Sequence, residues 1–112
     1  MRRLLLLALF IMSPARAVSP EAEEFIAISK ELEPVQCERR KLRREIMLAE
    51  IEQRGEDAAA LRRRFATVGR EPATARLEKR LAELEPRLRR SRDAQDLEAI
   101  SREQRDAFYQ CD

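Results

Sequence analysis

The sequence predicts an all-α protein, an antiparallel helical hairpin of about three to five helical segments closed by one disulfide, and three observations lead there. Good helix formers (Arg, Glu, Leu, Ala) dominate a chain with two glycines and no β-branched or aromatic run long enough for a strand. Leu77, Leu81, Leu84 and Leu88 recur at the spacing of a helix-packing seam. Cys37 and Cys111 flank a strong turn signal, Gly69-Arg70-Glu71-Pro72, which lies close to midway between them.

Met1–Ala17 reads as a secretory signal peptide. Arg2 and Arg3 precede an apolar run from Leu4 to Met12, and Pro14-Ala15-Arg16-Ala17 supplies a helix break and a small-x-small cleavage pattern. The run falls well short of the ~20 residues that span hydrocarbon, so cleavage is expected rather than anchoring. Val18 after the cut excludes a lipidated cysteine there. Residues 18–112 are then expected as one small helical domain, exported to the periplasm or secreted.

In that domain Ser19-Pro20-Glu21 is a helix start, with a hydroxyl cap, proline in the first turn and acids at the positive end of the dipole. This helix is expected to kink or break briefly near Pro34, which lacks an amide hydrogen and disfavours helical dihedrals at Glu33. A second helix should run from Val35 to Arg54, Gly55 should stop it, and Asp57 should cap a third through Val68. Leu42, Ile46 and Ala49 lie on one face, and Leu61, Phe65 and Val68 on another.

Past the turn, the leucine seam continues through Pro86, which should bend its helix without ending it. A break is expected at Ser91–Asp93, with Asp93 capping a last helix that carries Leu97, Ile100 and Phe108 on a different face. At ~1.5 Å per residue the arms, Cys37 to Val68 and Pro72 to Cys111, measure about 46 and 58 Å, so the cysteines should meet at the open end with the first helix folded alongside. The ending Arg102-Glu103-Gln104-Arg105-Asp106-Ala107 through Cys111 resembles the C-terminal segment of small periplasmic lysozyme inhibitors. That family's other cysteines and its tryptophan are missing, and no function is carried over.

Two cysteines without CxxC spacing in an exported chain point to a structural Cys37–Cys111 bridge. Basic and acidic residues number 23 and 21, and loss of Arg2, Arg3 and Arg16 with the signal leaves 20 against 21. The mature chain is therefore near neutral, which gives no overall argument for nucleic acid or acidic membranes. The absence of histidine removes the commonest general base and metal ligand. No phosphate loop, calcium loop or four-ligand zinc set is present. No enzymatic activity, metal or cofactor is expected.

Three groups remain as candidate contact surfaces. Arg39, Arg40, Lys41, Arg43 and Arg44, with Arg87, Arg89, Arg90 and Arg92 as a second group, fit lipopolysaccharide, anionic lipid or acidic protein through guanidinium forks. They fit equally a solvated face laced with pairs such as Glu85–Arg89 and Glu98–Arg102. Without interleaved aromatics they are poor for nucleic acid. Phe108 and Tyr109 beside Cys111 either plug the disulfide end or contact a partner protein.

The favoured expectation is thus a small periplasmic interaction or structural protein acting on an unidentified envelope protein. Binding of anionic envelope components is the alternative, and a homodimer through the Leu77–Leu88 seam stays open. Intact-mass analysis of the exported protein should find a chain beginning at Val18. A species retaining Met1 would overturn the cleavage assignment.

Overall fold

The computed structural model describes residues 18–111, so the expected signal peptide lies outside the described residues. Four helices and no strand occur among them: α1 (Pro20–Ile51), α2 (Gly55–Thr67), α3 (Pro72–Ser91) and α4 (Ala94–Gln110). None of these is long and apolar enough to cross a membrane.

The start of α1 is capped as its residues dictate. The Ser19 hydroxyl accepts from the Ala22 amide at 3.1 Å and donates to Asp96 Oδ2 at 2.7 Å, while the Ser19 amide donates to Asp96 Oδ1 at 2.9 Å. Asp96 is buried, and both its oxygens are thereby satisfied. Asp93 caps α4 by accepting from the Gln95 and Asp96 amides. One cluster of two aspartates and a serine therefore starts both helices and binds them together.

Of the kink or short break expected at Pro34, the break does not occur. α1 runs unbroken for 32 residues with Pro34 inside it. An interior proline costs a helix about 3 kcal/mol. Contacts on both sides of it outweigh this: Leu32 is buried in the core before it, and after it Cys37 is bridged and Arg39 is held by α3. Nor does Gly55 act as the helix stop. The residue with left-handed dihedrals is Gln53 (φ 59°), and Gly55 instead opens α2. Asp57 is not the cap of that helix; it lies in the first turn and accepts from the Arg54 guanidinium at 2.7 Å.

Downstream, Gly69 turns with φ 78°, Pro72 starts α3, Pro86 sits inside it without ending it, and the helix ends at Ser91 as expected, with Arg92 taking left-handed dihedrals. The space behind Gly69 is taken by the Arg39 guanidinium, with Val35 close by. Any side chain at position 69 would therefore meet both a strained φ and an occupied volume.

α2 lies beside the C-terminal half of α1. Arg62 pairs with Glu50, Arg64 with Glu38, and Arg39 donates to the Val68 carbonyl at 3.3 Å. The chain thus already turns at Glu52–Arg54, before the expected turn at Gly69–Pro72. Buried Ala49 and Ala58 keep this interface thin.

α3 and α4 both pack on the N-terminal half of α1, and each touches it more than they touch one another. The core between them is built from Ala22, Phe25, Ile28 and Leu32 of α1 with Leu84 and Leu88 of α3, flanked by Leu77, Leu81, Ile100 and Val18. The leucine seam of α3 is therefore directed at α1.

Cys37 and Cys111 are bridged, with Cα atoms 5.5 Å apart and a separation of 74 in sequence. The bridge joins the middle of α1 to the residue following α4, rather than the open ends of two arms. In the chain-entropy model a loop of this size contributes roughly 4.5 kcal/mol. Replacing both cysteines by serine should lower unfolding free energy by about 4 kcal/mol in denaturant titration. Hydrogen exchange should speed up first at Ala107–Gln110, and a variant of unchanged stability would show that the bridge only records a pre-formed contact.

Candidate functional site

The arginine run of α1 does not form one patch, because successive positions on a helix turn by about 100°. Arg39 is directed at α3, where its Nη1 donates to Glu78 Oε2 at 2.6 Å and its side chain is 22% exposed. Arg43, one turn further on, lies over the Phe65 ring of α2 at 5.3 Å. Arg40 leaves on another face and lies 5.6 Å over the Phe108 ring of α4. Stacking of this kind binds the guanidinium plane to its own protein.

In the second group, Arg87 pairs with Glu21 at 3.4 Å and Arg89 with Glu85 at 2.8 Å. Lys41, Arg44 and Arg90 take part in no ion pair among the described residues. The Arg87 and Arg89 pairs are solvent-exposed, and each contributes at most ~1 kcal/mol. The best-formed is Arg80 with Glu24, a two-pronged contact at 2.7 and 2.9 Å. Hydrogen bonds from Arg80 hold the Glu24 carboxyl below its ordinary range, and the same bonds raise the Arg80 guanidinium.

Phe108 and Tyr109 form an edge-to-face pair with centroids 5.6 Å apart, yet remain 59% and 78% exposed. They stand beside the bridge rather than plugging it. At the other end of α1, Met47, Leu48 and Ile51 are exposed as well. Both groups sit on helices held by tertiary contacts, so their positions are fixed before any encounter.

A groove opens where α3 and α4 diverge over α1. Its first part, about 390 Å³, has Phe25, Leu81 and Ala82 as floor and Glu33, Glu103 and Arg40 along its side. A second part of about 320 Å³ continues from Phe25 to Leu88, Leu97 and Ile100. The two share Phe25, Glu85 and Gln104 and form one trough.

Glu103 is its unusual member. The side chain is 11% exposed, Oε2 is buried with no hydrogen-bond partner, and Lys30 approaches Oε1 only to 3.9 Å. Burial pushes the Glu103 carboxyl above its ordinary range, a hydrogen bond shared with the Glu33 carboxyl of α1 adds to this, as do the charges of Glu33 and Asp106, and Lys30 opposes it. No group of three or more metal-ligating side chains occurs among the described residues.

Sequence reasoning passed over Glu33, Glu103 and Asp96, since each reads as an ordinary acid on a charged helix. Only the pairing of α1 with α4 makes them special. Comparison with protein-family models, curated proteins and solved structures finds no match, so the reading of this site stands on its own residues.

The raised Glu103 carboxyl has a stability consequence with a definite sign. A group protonated more readily in the folded state than in the unfolded one favours folding at low pH and loses that contribution as pH rises through its folded-state value. Glu103→Gln should therefore raise the melting temperature at pH 7. The gain should shrink as pH falls through the raised folded-state value and vanish well below the ordinary value of 4.5, where the native residue is neutral in both states. Thermal scans of both proteins across that range check this, and a pH-independent difference would contradict it.

Proposed function

We propose that this chain is a small periplasmic helical protein, exported by its N-terminal segment, that works through protein–protein contacts and carries out no chemistry. We read α1, together with α2 and α3 running back along it, as the antiparallel hairpin of the working molecule, with α4 tied across it by the Cys37–Cys111 bridge. The reversed order of the pairs Arg62–Glu50 and Arg64–Glu38 supports that arrangement.

The observation that carries the contact function is the exposed Phe108–Tyr109 pair, fixed beside the bridge and under the Arg40 guanidinium. Aromatic side chains lose few rotamers on binding and bury large areas, so they dominate protein interfaces when pre-positioned. In a monomer of this size they have no role in the core. The partner in this reading is an envelope protein.

The alternative, binding of lipopolysaccharide or anionic lipid, is carried by Lys41, Arg44 and Arg90, which lack intramolecular ion pairs among the described residues. Their neighbours Arg39, Arg87 and Arg89 are engaged by carboxylates, which lowers the charge available to such a ligand.

Pull-down from envelope extract with the bridged protein should recover a discrete partner. The double variant Phe108→Ser, Tyr109→Ser should lose it, with affinity falling about a hundredfold for two anchors and the fold unchanged by circular dichroism. Capture that survives this variant but vanishes when Lys41, Arg44 and Arg90 become glutamine, and that weakens steeply with salt, would transfer the function to anionic ligands.

A further inference from the structure

The two halves of α1 are covered unequally. Around its N-terminal half α3 and α4 close a core, whereas its C-terminal half packs mainly on α2, with Leu42, Ala49 and Ala58 buried there. α4 lies on the side of α1 that carries Lys30 and Cys37, and its aromatic end reaches Arg40. That side continues from Cys37 through Lys41, Arg44, Leu48 and Ile51, at steps of four and three, with Met47 beside it. α2 takes the opposite side, where Glu38 and Glu50 pair with it. Met47, Leu48 and Ile51 are accordingly 52%, 51% and 70% exposed and form one patch.

Charge along this side is divided. Toward the bridge stand Lys41 and Arg44, which form no ion pair among the described residues. At the tip stand Glu52 and Asp57, which share Arg54, and Glu56, which has no ion pair among the described residues. The apolar patch lies between them, bordered by a hollow of about 350 Å³ that Leu48, Ala60 and Leu61 line with Glu45, Arg54 and Asp57. A surface positive at one end, acidic at the other and apolar at its centre is complementary to itself when reversed.

We infer that two copies of this chain associate antiparallel through this face, the patch of each being covered by the patch of the other. Leu48 meets Leu48 at the twofold axis, Met47 meets Ile51, and Lys41 and Arg44 meet the tip acids Glu56 and Glu52 of the other copy. A single register satisfies these pairs, because the members of each lie nearly equally far from Leu48 on opposite sides. A flat anionic bilayer would meet the tip acids together with the cations, whereas a reversed copy pairs them. The leucine seam of α3 is occupied by α1 and takes no part.

The contact runs from Lys41 to Ile51, about 15 Å of helix, so association in the micromolar range is expected. The two Cys37–Cys111 bridges then stand about 33 Å apart along the shared axis, each with its Phe108–Tyr109 pair, and one dimer offers two contact sites. The dimer does not depend on reading Phe108 and Tyr109 as a partner site.

Sedimentation equilibrium of the bridged chain, from micromolar concentration to about 1 mM, should show a monomer–dimer equilibrium. Leu48→Ser and Ile51→Ser should each raise the dissociation constant about tenfold. Both positions are exposed, so circular dichroism should be unchanged. Lys41→Glu and Glu56→Lys should each weaken association, and the two combined should restore it, which a loss of folding cannot imitate. Leu48→Cys should cross-link copy to copy under mild oxidation, whereas Lys79→Cys on the exposed face of α3 should not.

A chain that stays monomeric at the highest concentration, association indifferent to Leu48→Ser, or a charge exchange that restores nothing would overturn the inference. So would binding of phosphatidylglycerol vesicles, or of a different protein, that Leu48→Ser abolishes in a chain that remains monomeric.

Discussion

The other three helices share one surface because α1 stays helical through Pro34. Its N-terminal half supplies Ala22, Phe25, Ile28 and Leu32 to the core under α3 and α4, and its C-terminal half supplies Leu42 and Ala49 to the interface with α2. A break at Pro34 would free these halves to rotate, and the register of Glu24–Arg80 would no longer agree with that of Glu38–Arg64. The missing hydrogen bond is tolerated because the Cys37–Cys111 bridge and the Arg39–Glu78 contact clamp the helix just beyond the proline. Spine and bridge are mutually dependent: the bridge meets its geometry only if the helix continues, and the helix continues partly because the bridge holds it.

Charge follows from the same arrangement. In a chain this rich in arginine, most guanidinium groups near α1 are turned toward carboxylates or aromatic rings of the helices packed on it. Most of the individual pairs are exposed and contribute little, Arg39–Glu78 being the half-buried exception. Their joint effect is to set which faces meet, since an arginine aimed at a neighbour's carboxylate disfavours the rotated alternatives. The buried Asp96 acts more strongly, because both oxygens are satisfied by Ser19 and would be stranded if α4 moved away from the start of α1.

Against this background, the features left unsatisfied stand out physically. Phe108 and Tyr109 expose large apolar area on a fixed helix end, and Glu103 buries an oxygen without a partner. Each carries a free-energy cost that folding does not remove, and binding can remove both. They lie on neighbouring stretches of α4, one at the bridge and one in the trough, with Arg40 beside each.

By itself the sequence determined what local chemistry determines. Its composition and seam made the chain helical, Ser19-Pro20 and Asp93 set two helix starts, and Gly69 with Pro72 set a turn, because capping and proline geometry act over a few residues. It also singled out the cysteine pair, since only two are present. Tertiary structure decided the rest. Whether Pro34 breaks a helix depends on what packs around it, Gln53 instead of Gly55 takes the left-handed position through the way α2 folds onto α1, and the arginine run is divided among three neighbours by helical rotation. Glu33 and Glu103 become a pair only when α4 is laid along α1. Contacts between positions far apart in sequence carry no local signature, and the candidate groove is made entirely of such contacts.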